Sequence, residues 1–317
     1  LNSSLFSGTA FNISRFRHNA LPLIDKDDID TSTEFLGKKL SAPIIISAMT
    51  GGFKEAHIIN KNLARAAQRL GVALCLGSCR IALTNKNLES SFWVRDVAPD
   101  ILLFANLGAV QLNYGYSVDE CKRAVEMSGA DGLMLHLNPL QEAIQPEGNT
   151  NFSGLLKKIS YVCKEVDFPV VVKEVGFGIS SKVAARLKKA GIKAIDVAGA
   201  GGTNWAHIEG VRSNTPIGRE FRNWGIPTAE CVVALRSFSL PIIASGGIRS
   251  GSDIAKAIAL GADIAGIALP LLAPALDSAG AVCKVLNNLI EGLRIAMFCT
   301  GSRTVKELKT KKLIRLR

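Results

Sequence analysis

The 317-residue sequence predicts an α/β fold, a TIM (β/α)8 barrel, and three observations predict it. A short apolar run rich in β-branched residues, followed by an amphipathic helical stretch, repeats eight times, the pattern of parallel strands joined by crossover helices. Eight such units in roughly 250 residues match the size and count of that barrel. A doubly wound sheet would need a G-x-G-x-x-G turn after its first strand, and "AMTGGF" lacks that spacing.

The strands are expected, in order, at "PIIISA" (43–48), "VALCLGS" (72–78), "ILLFANLG" (101–108) and "GLMLHLN" (132–138), then "PVVVKEV" (169–175), "AIDVAG" (194–199), "PIIASGG" (241–247) and "IAGIALP" (264–270). Helices fill the gaps. "KEAHIINKNLARAAQRL" follows the first strand, while "SVDECKRAVEMSG" and "SKVAARLKKAG" each close on glycine, and "SGSDIAKAIALGA" opens with Ser and Asp able to cap it. The expected organisation is a single barrel domain over 1–317, with 1–41 an N-terminal extension before the first strand and 303–317 a basic C-terminal tail.

Composition narrows the function classes. A hydrophobic content of 48% can fill a large core. The longest uncharged apolar stretch, Ile264 to Leu276, has 13 residues and two prolines. A membrane span needs roughly 18 to 20, so none is expected. "LNSSLFSGTAFN" shows no secretory signal pattern. Seven cysteines lie singly with no C-x-x-C pair, which points away from disulfides and zinc and toward a reducing cytoplasm. Of the net charge of +11, residues 303–317 supply +6, from seven Lys or Arg against one Glu. Aromatics are 6% overall and absent from this tail, so it reads as a solvated face and no nucleic-acid partner is expected.

Reactive groups of such barrels sit at the carboxyl ends of the strands. Here these ends deliver Ala48, Met49 and Thr50, then Ser78 and Arg80, Asn106, the stretch "HLNPLQEAIQPEG", and Lys173 with Glu174. Next come "AGAGGTNW", "SGGIRSG" and "ALPLL". A glycine turn running into a helix start is a phosphate site. His136 and Asn138, two apart on a strand, should face the same way, inward if the pleat is regular, with Gln141 and Glu142 in the following loop. A carboxylate beside amide oxygens suits Mg²⁺. Each residue alone has a plain reading as a turn, a cap or a core polar group; their convergence on one face carries the site.

The stretches "SAPIIISAMTGG", "HLNPLQEAIQPEG", "VVVKEVGFGIS", "DVAGAGGTNW" and "ASGGIRSGSDIAKAIALGA" together resemble the type 2 isopentenyl-diphosphate delta-isomerase family over nearly the whole chain. The resemblance implies an FMN- and Mg²⁺-dependent interconversion of isopentenyl and dimethylallyl diphosphate, with reduced FMN as acid and base and NADPH as reductant. It implies FMN contacts from Ala48, Met49, Thr50, Ser78, Asn106, Lys173 and Thr203, with the flavin phosphate against Gly247, Ile248, Arg249, Ala268 and Leu269. It further implies Mg²⁺ on Glu142, substrate contacts from Ser78, Arg80, His136 and Gln141, and catalytic roles for Gln141, His136 and Asn138. A homotetramer or homo-octamer is expected.

Three features depart from the family pattern. An Arg-Lys-x-x-His motif near the amino terminus is missing from a sequence that begins at Leu1, and it is expected to lie outside this sequence. Cys79 stands where the family's "GSQR" has Gln, and Asn149 follows "PEG" in place of Asp. The nearest alternative is an FMN-dependent (β/α)8 oxidoreductase. Such enzymes place a basic His or Cys on a later strand, and here His207 is the only late His. A non-catalytic binding protein acting through the basic tail is the other alternative.

Overall fold

The computed structural model describes residues 8–51, 53 and 55–315, and within them eight parallel strands close into a barrel, as the repeat predicts. They are β1 (Ile44–Ile46), β2 (Ala73–Ser78), β3 (Leu103–Gly108), β4 (Gly132–His136), β5 (Val170–Lys173), β6 (Ala194–Asp196), β7 (Ile242–Ala244) and β8 (Ile264–Ile267). Each pairs with the next, and β8 closes on β1 through Ala265 opposite Ile44. Residues 1–7 of the N-terminal extension, Gly52, Lys54, and the last two residues of the basic tail lie outside the described residues.

Side chains alternate across each strand. Ile44, Leu74, Leu103, Leu133 and Val172 turn outward into the layer shared with the helices. Ile45, Cys75, Phe104, Met134, Val171, Ala194, Ile243 and Ile264 turn inward and form an apolar plug. A hairpin of Thr33–Phe35 and Lys38–Leu40 adds Phe35 and Leu40 to that plug. Its turn, Leu36-Gly37, has positive φ at both residues, the geometry that suits a two-residue hairpin.

The basic tail turns Arg303, Lys306, Lys309 and Lys312 outward, as a solvated face requires, and packs through the apolar positions between them. Val305–Lys309 is a helix whose Val305 and Leu308, three apart, are buried, while Lys309 points out to pair with Asp263 at 2.5 Å. Leu313–Arg315 then pairs antiparallel with Ser14–Phe16. The alternation of apolar and basic residues, rather than net charge, decides this packing. Among the described residues no helix is long and apolar enough to cross a membrane.

Candidate active site

Two residues beyond the apolar plug, the barrel interior becomes polar. Each strand contributes one side chain or glycine to this layer: Ser47, Gly77, Asn106, His136, Lys173, Asp196, Ser245 and Gly266. All but Asp196 line a cavity of about 460 Å³ at the carboxyl ends of the strands. The predicted Ala48, Met49, Thr50, Ser78, Gln141, Thr203, Gly247, Ile248, Arg249, Ala268 and Leu269 line it too. Ser245 opens the predicted "SGGIRSG" turn, whereas Ser47, Gly77, Asp196 and Gly266 are additions that sequence reading did not single out. The available signal was the step of two from each inward apolar residue.

Charge in this layer is held by neighbours. Lys173, 7% exposed, donates to the carbonyl of Glu174. Asp196, 1% exposed, sits opposite it in register; its Oδ1 accepts from the Ser245 hydroxyl at 2.6 Å and the Ala198 N–H at 3.2 Å. Burial pushes the Asp196 carboxyl above its ordinary range, with the Lys173 charge opposing that rise. His136 Nδ1 lies 2.8 Å from Asn106 Oδ1, which can only accept, so Nδ1 carries the ring proton and Nε2 is left as an acceptor. Burial and the Lys173 charge hold His136 down to about 3, so the imidazole is neutral.

Glu174 shapes the loop after β5. Its Oε2 accepts N–H groups from Val175, Gly176, Phe177 and Gly178 at 2.5 to 3.2 Å, curling the chain so that Val175 and Gly176 reach the cavity. Burial pushes this carboxyl up to about 7 against those four donors.

Opposite these side chains the wall is backbone. Gly246 and Gly247 have φ of +102° and +81°, and a Cβ on Gly247 would lie 2.3 Å from the Gly201 carbonyl. A Cβ on Gly202 would lie 2.7 Å from the Gly247 nitrogen, so two loops pass where only glycine fits. Ser250 then caps the helix Gly251–Leu260 with a full capping box. Ser47 Oγ and Thr50 Oγ1, just after β1, are buried without a hydrogen-bond partner.

The "HLNPLQEAIQPEG" stretch is arranged differently from the expectation. β4 ends at His136, and residues Pro139–Ile144 form a helix rather than a loop, because Pro is well suited to a first turn. Asn138 does not share the His136 face; it sits before that helix, 3% exposed and outside the cavity lining. Its Nδ2 donates to Gln141 Oε1 at 3.2 Å and Glu142 Oε1 at 2.9 Å, and its Oδ1 is buried without a partner. Glu142 is buried beside the cavity rather than in it, with Oε2 accepting from the Asn149 N–H at 2.5 Å. The Asn149 side chain accepts from Gln111 at 3.1 Å, so the departure from Asp keeps a partner.

Arg80 opens the short helix Arg80–Thr84 on the exposed rim and does not line the cavity. Cys79 is fully buried beneath that helix, its thiol pushed up to about 12 by burial, and it too is absent from the lining. Glu209 was overlooked by sequence reading. It lies one turn after Trp205 on the helix Trp205–Arg212, 5% exposed, and accepts from Gln141 Nε2 at 3.2 Å.

Residues 7–93 and 122–315 match the model of the FMN-dependent dehydrogenase family. An isopentenyl-diphosphate delta-isomerase of Nostoc sp. is 52% identical over 301 residues, covering 93% of this chain and 86% of that protein. The chain belongs to the isopentenyl-diphosphate delta-isomerase family. A second family member, from Rickettsia felis, is 50% identical over 312 residues, 96% of this chain and 90% of its own length. A mandelate oxidase structure, 22% identical, superposes with a TM-score of 0.68 over 99% of this chain and 93% of its own, a likeness of fold alone. This chain therefore shares its barrel fold with a flavin oxidase, and fold alone does not fix the reaction.

The cavity fits FMN on its own features. Its volume lies within the roughly 300–1,000 Å³ of small-molecule sites. Glycine-only loops at a helix start suit a phosphate, orphaned hydroxyls await partners, and a buried lysine suits a flavin edge that becomes anionic.

Proposed function

We propose that this chain interconverts isopentenyl and dimethylallyl diphosphate with FMN seated in the barrel mouth. The observation that carries the reading is the polar layer, with a buried cation, a neutral imidazole and glycine-built loops around one cavity, in a chain about half identical to named isomerases. In this reading Ala48, Met49, Thr50, Ser78, Asn106, Lys173 and Thr203 hold the flavin. Gly247, Ile248, Arg249, Ala268 and Leu269 hold its phosphate. Bound reduced FMN supplies the acid and base for moving the double bond, with NADPH as the reductant that charges it.

The chain's own residues orient and protect the substrate. Lys173 would balance negative charge on the bound flavin, and neutral His136 offers Nε2 without adding charge. The Gln141 amide faces the isoprene unit, held at both ends by Asn138 and Glu209. Trp205 and Leu272 supply apolar wall that keeps water from a cation-like transition state. Asn138, whose side chain is buried behind Gln141, serves as support.

One carboxylate, Glu142, next to the partnerless Asn138 Oδ1 fits Mg²⁺, an ion that keeps several waters and shares substrate phosphate. Arg80 meets the diphosphate from the rim. We further propose that the chain works in the cytoplasm as a homotetramer or homo-octamer, each subunit one barrel domain with 1–41 before it and 303–317 behind it.

The test is to incubate the protein anaerobically with reduced FMN, Mg²⁺ and isopentenyl diphosphate and to follow the vinyl protons by NMR. Conversion to the allylic isomer is expected. Bound FMN with no conversion, and turnover of an α-hydroxy acid instead, would sink the reading in favour of a flavin oxidoreductase.

A further inference from the structure

Two segments meet at the cavity mouth: Pro139–Ile144 with the loop after it, which follow β4, and the helix Trp205–Arg212, which follows β6. Beneath them Ile144, Phe177 and Ala206 form a small apolar cluster, with Leu140, Trp205 and Phe221 packed against it. Above that base a chain of polar contacts runs without a break. Asn138 Nδ2 donates to Gln141 Oε1, Gln141 Nε2 donates to Glu209 Oε1, Arg212 Nε donates to Glu209 Oε2 at 2.7 Å, and Arg212 Nη2 donates to Glu147 Oε1 at 2.6 Å.

The polarity of this chain is forced. A carboxylate only accepts, so with Glu142 accepting from Asn138 and Glu209 accepting from Gln141, both amides have one permitted orientation. Gln141 lines the cavity, so that orientation decides which group it shows to a ligand. Both Glu209 oxygens are taken as acceptors, Oε1 by Gln141 and Oε2 by Arg212, so the guanidinium fixes how the carboxylate is turned toward the amide. The Glu209 side chain is 7% exposed, and Arg212 is the cation within ion-pair distance of it among the described residues. The second arm of the same guanidinium reaches Glu147, sixty-five residues earlier in sequence, on the loop that also carries Asn149. The backbone N–H of Asn149 in turn donates to Glu142.

We infer that Arg212 is a positioning residue with two arms: one fixes the Glu209 carboxylate against the Gln141 amide and so sets the orientation of that amide, and the other latches the loop around Glu147 to the β6 helix over the cavity mouth. Only the kinetic part of the inference rests on the proposed isomerase activity. Lysine cannot replace it, because one ammonium lacks the planar fork that reaches two carboxylates in fixed directions.

The test uses the FMN-loaded protein and the variants Arg212→Met and Glu147→Gln. Amide exchange is read by mass spectrometry over residues 139–152, and kcat and KM are measured with isopentenyl diphosphate. Arg212→Met is expected to raise exchange in this segment roughly tenfold and to lower kcat about tenfold or more, since both arms are cut. Glu147→Gln takes the charge off one arm and leaves a neutral acceptor; exchange rises by a few fold, less than in Arg212→Met, and KM increases severalfold, while kcat stays within about twofold.

Unchanged exchange in both variants overturns the latch. A kcat loss in Glu147→Gln equal to that in Arg212→Met overturns the assignment of amide orientation to the Glu209 arm. If Arg212→Met fails to fold, exposed Glu147→Gln decides the latch alone, and Glu209→Gln, which lets the partner amide turn, decides the orientation arm by the same fall in kcat. If the unaltered protein shows no conversion, the isomerase reading falls, and raised exchange in both variants still supports the latch.

Discussion

On the β2 to β5 side of the cavity the polar lining comes from side chains, Asn106, His136 and Lys173, whereas on the β6 to β8 side much of it is backbone, carried by Gly202, Gly246, Gly247 and Gly266. The two sides solve different problems. Backbone N–H groups hold an anion without a titratable group, but they demand that loops pass where no Cβ fits. Side chains place charge at a chosen depth, and each then needs a buried partner, as Asn106 serves His136 and Asp196 lies opposite Lys173. Substitution should therefore be all-or-none on the glycine side and graded on the other.

Gly247→Ala is the strongest way to break this contrast. Its Cβ would meet the Gly201 carbonyl at 2.3 Å in a left-handed conformation, so FMN affinity measured by fluorescence titration should fall about 100-fold or more. Near-normal binding would show that the loops are not the anion grip. Lys173→Met tests the other side: a loss of about tenfold in FMN affinity, with the flavin reduction potential lowered because the anionic form loses its counter-charge, is expected. An unchanged potential would remove Lys173 from the flavin.

His136 sharpens the comparison through pH. The unfolded chain takes up a proton below about 6.5, whereas the folded ring does so only near 3. The stability this group lends is thus intact above about pH 6.5 and lost as pH falls toward 3, at no more than about 1.4 kcal/mol per pH unit. Glu174 acts with the opposite sign, since its folded value of about 7 exceeds the unfolded value of about 4.3. Its contribution is intact below the unfolded value and declines as pH rises to about 7. Thermal melts of His136→Gln should lose the steep acid limb below about pH 4.5, where Glu174 no longer offsets it. The smallest effect belongs to Cys79→Ser: the side chain is buried and lies outside the cavity, so kcat and KM should stay within about twofold, with any cost appearing in the melting temperature.

The barrel and most of its mouth were legible because their signals are local. A run such as "PVVVKEV" names a buried strand and its exit together, and glycine pairs mark turns wherever they occur. Asn138, expected on the strand, and the rim position of Arg80 were not legible for a different reason. Their positions depend on where β4 gives way to a helix and on how the rim turns, and alternation along a strand carries no information past the strand's end. Glu209 and Arg212 were missed because their partners lie some sixty-five residues away on another segment.

The sequence by itself determined the eight-unit α/β architecture, the strand-end inventory and the family, since periodicity, turn chemistry and motif spacing are properties of the chain alone. Tertiary structure decided that Asp196 lies opposite Lys173, that Glu142 sits behind the cavity with Asn138, and that Arg212 joins the helix after β6 to the loop around Glu147. Those relations are distances between segments remote in sequence, and only the closure of the barrel brings them within hydrogen-bond and Coulomb range.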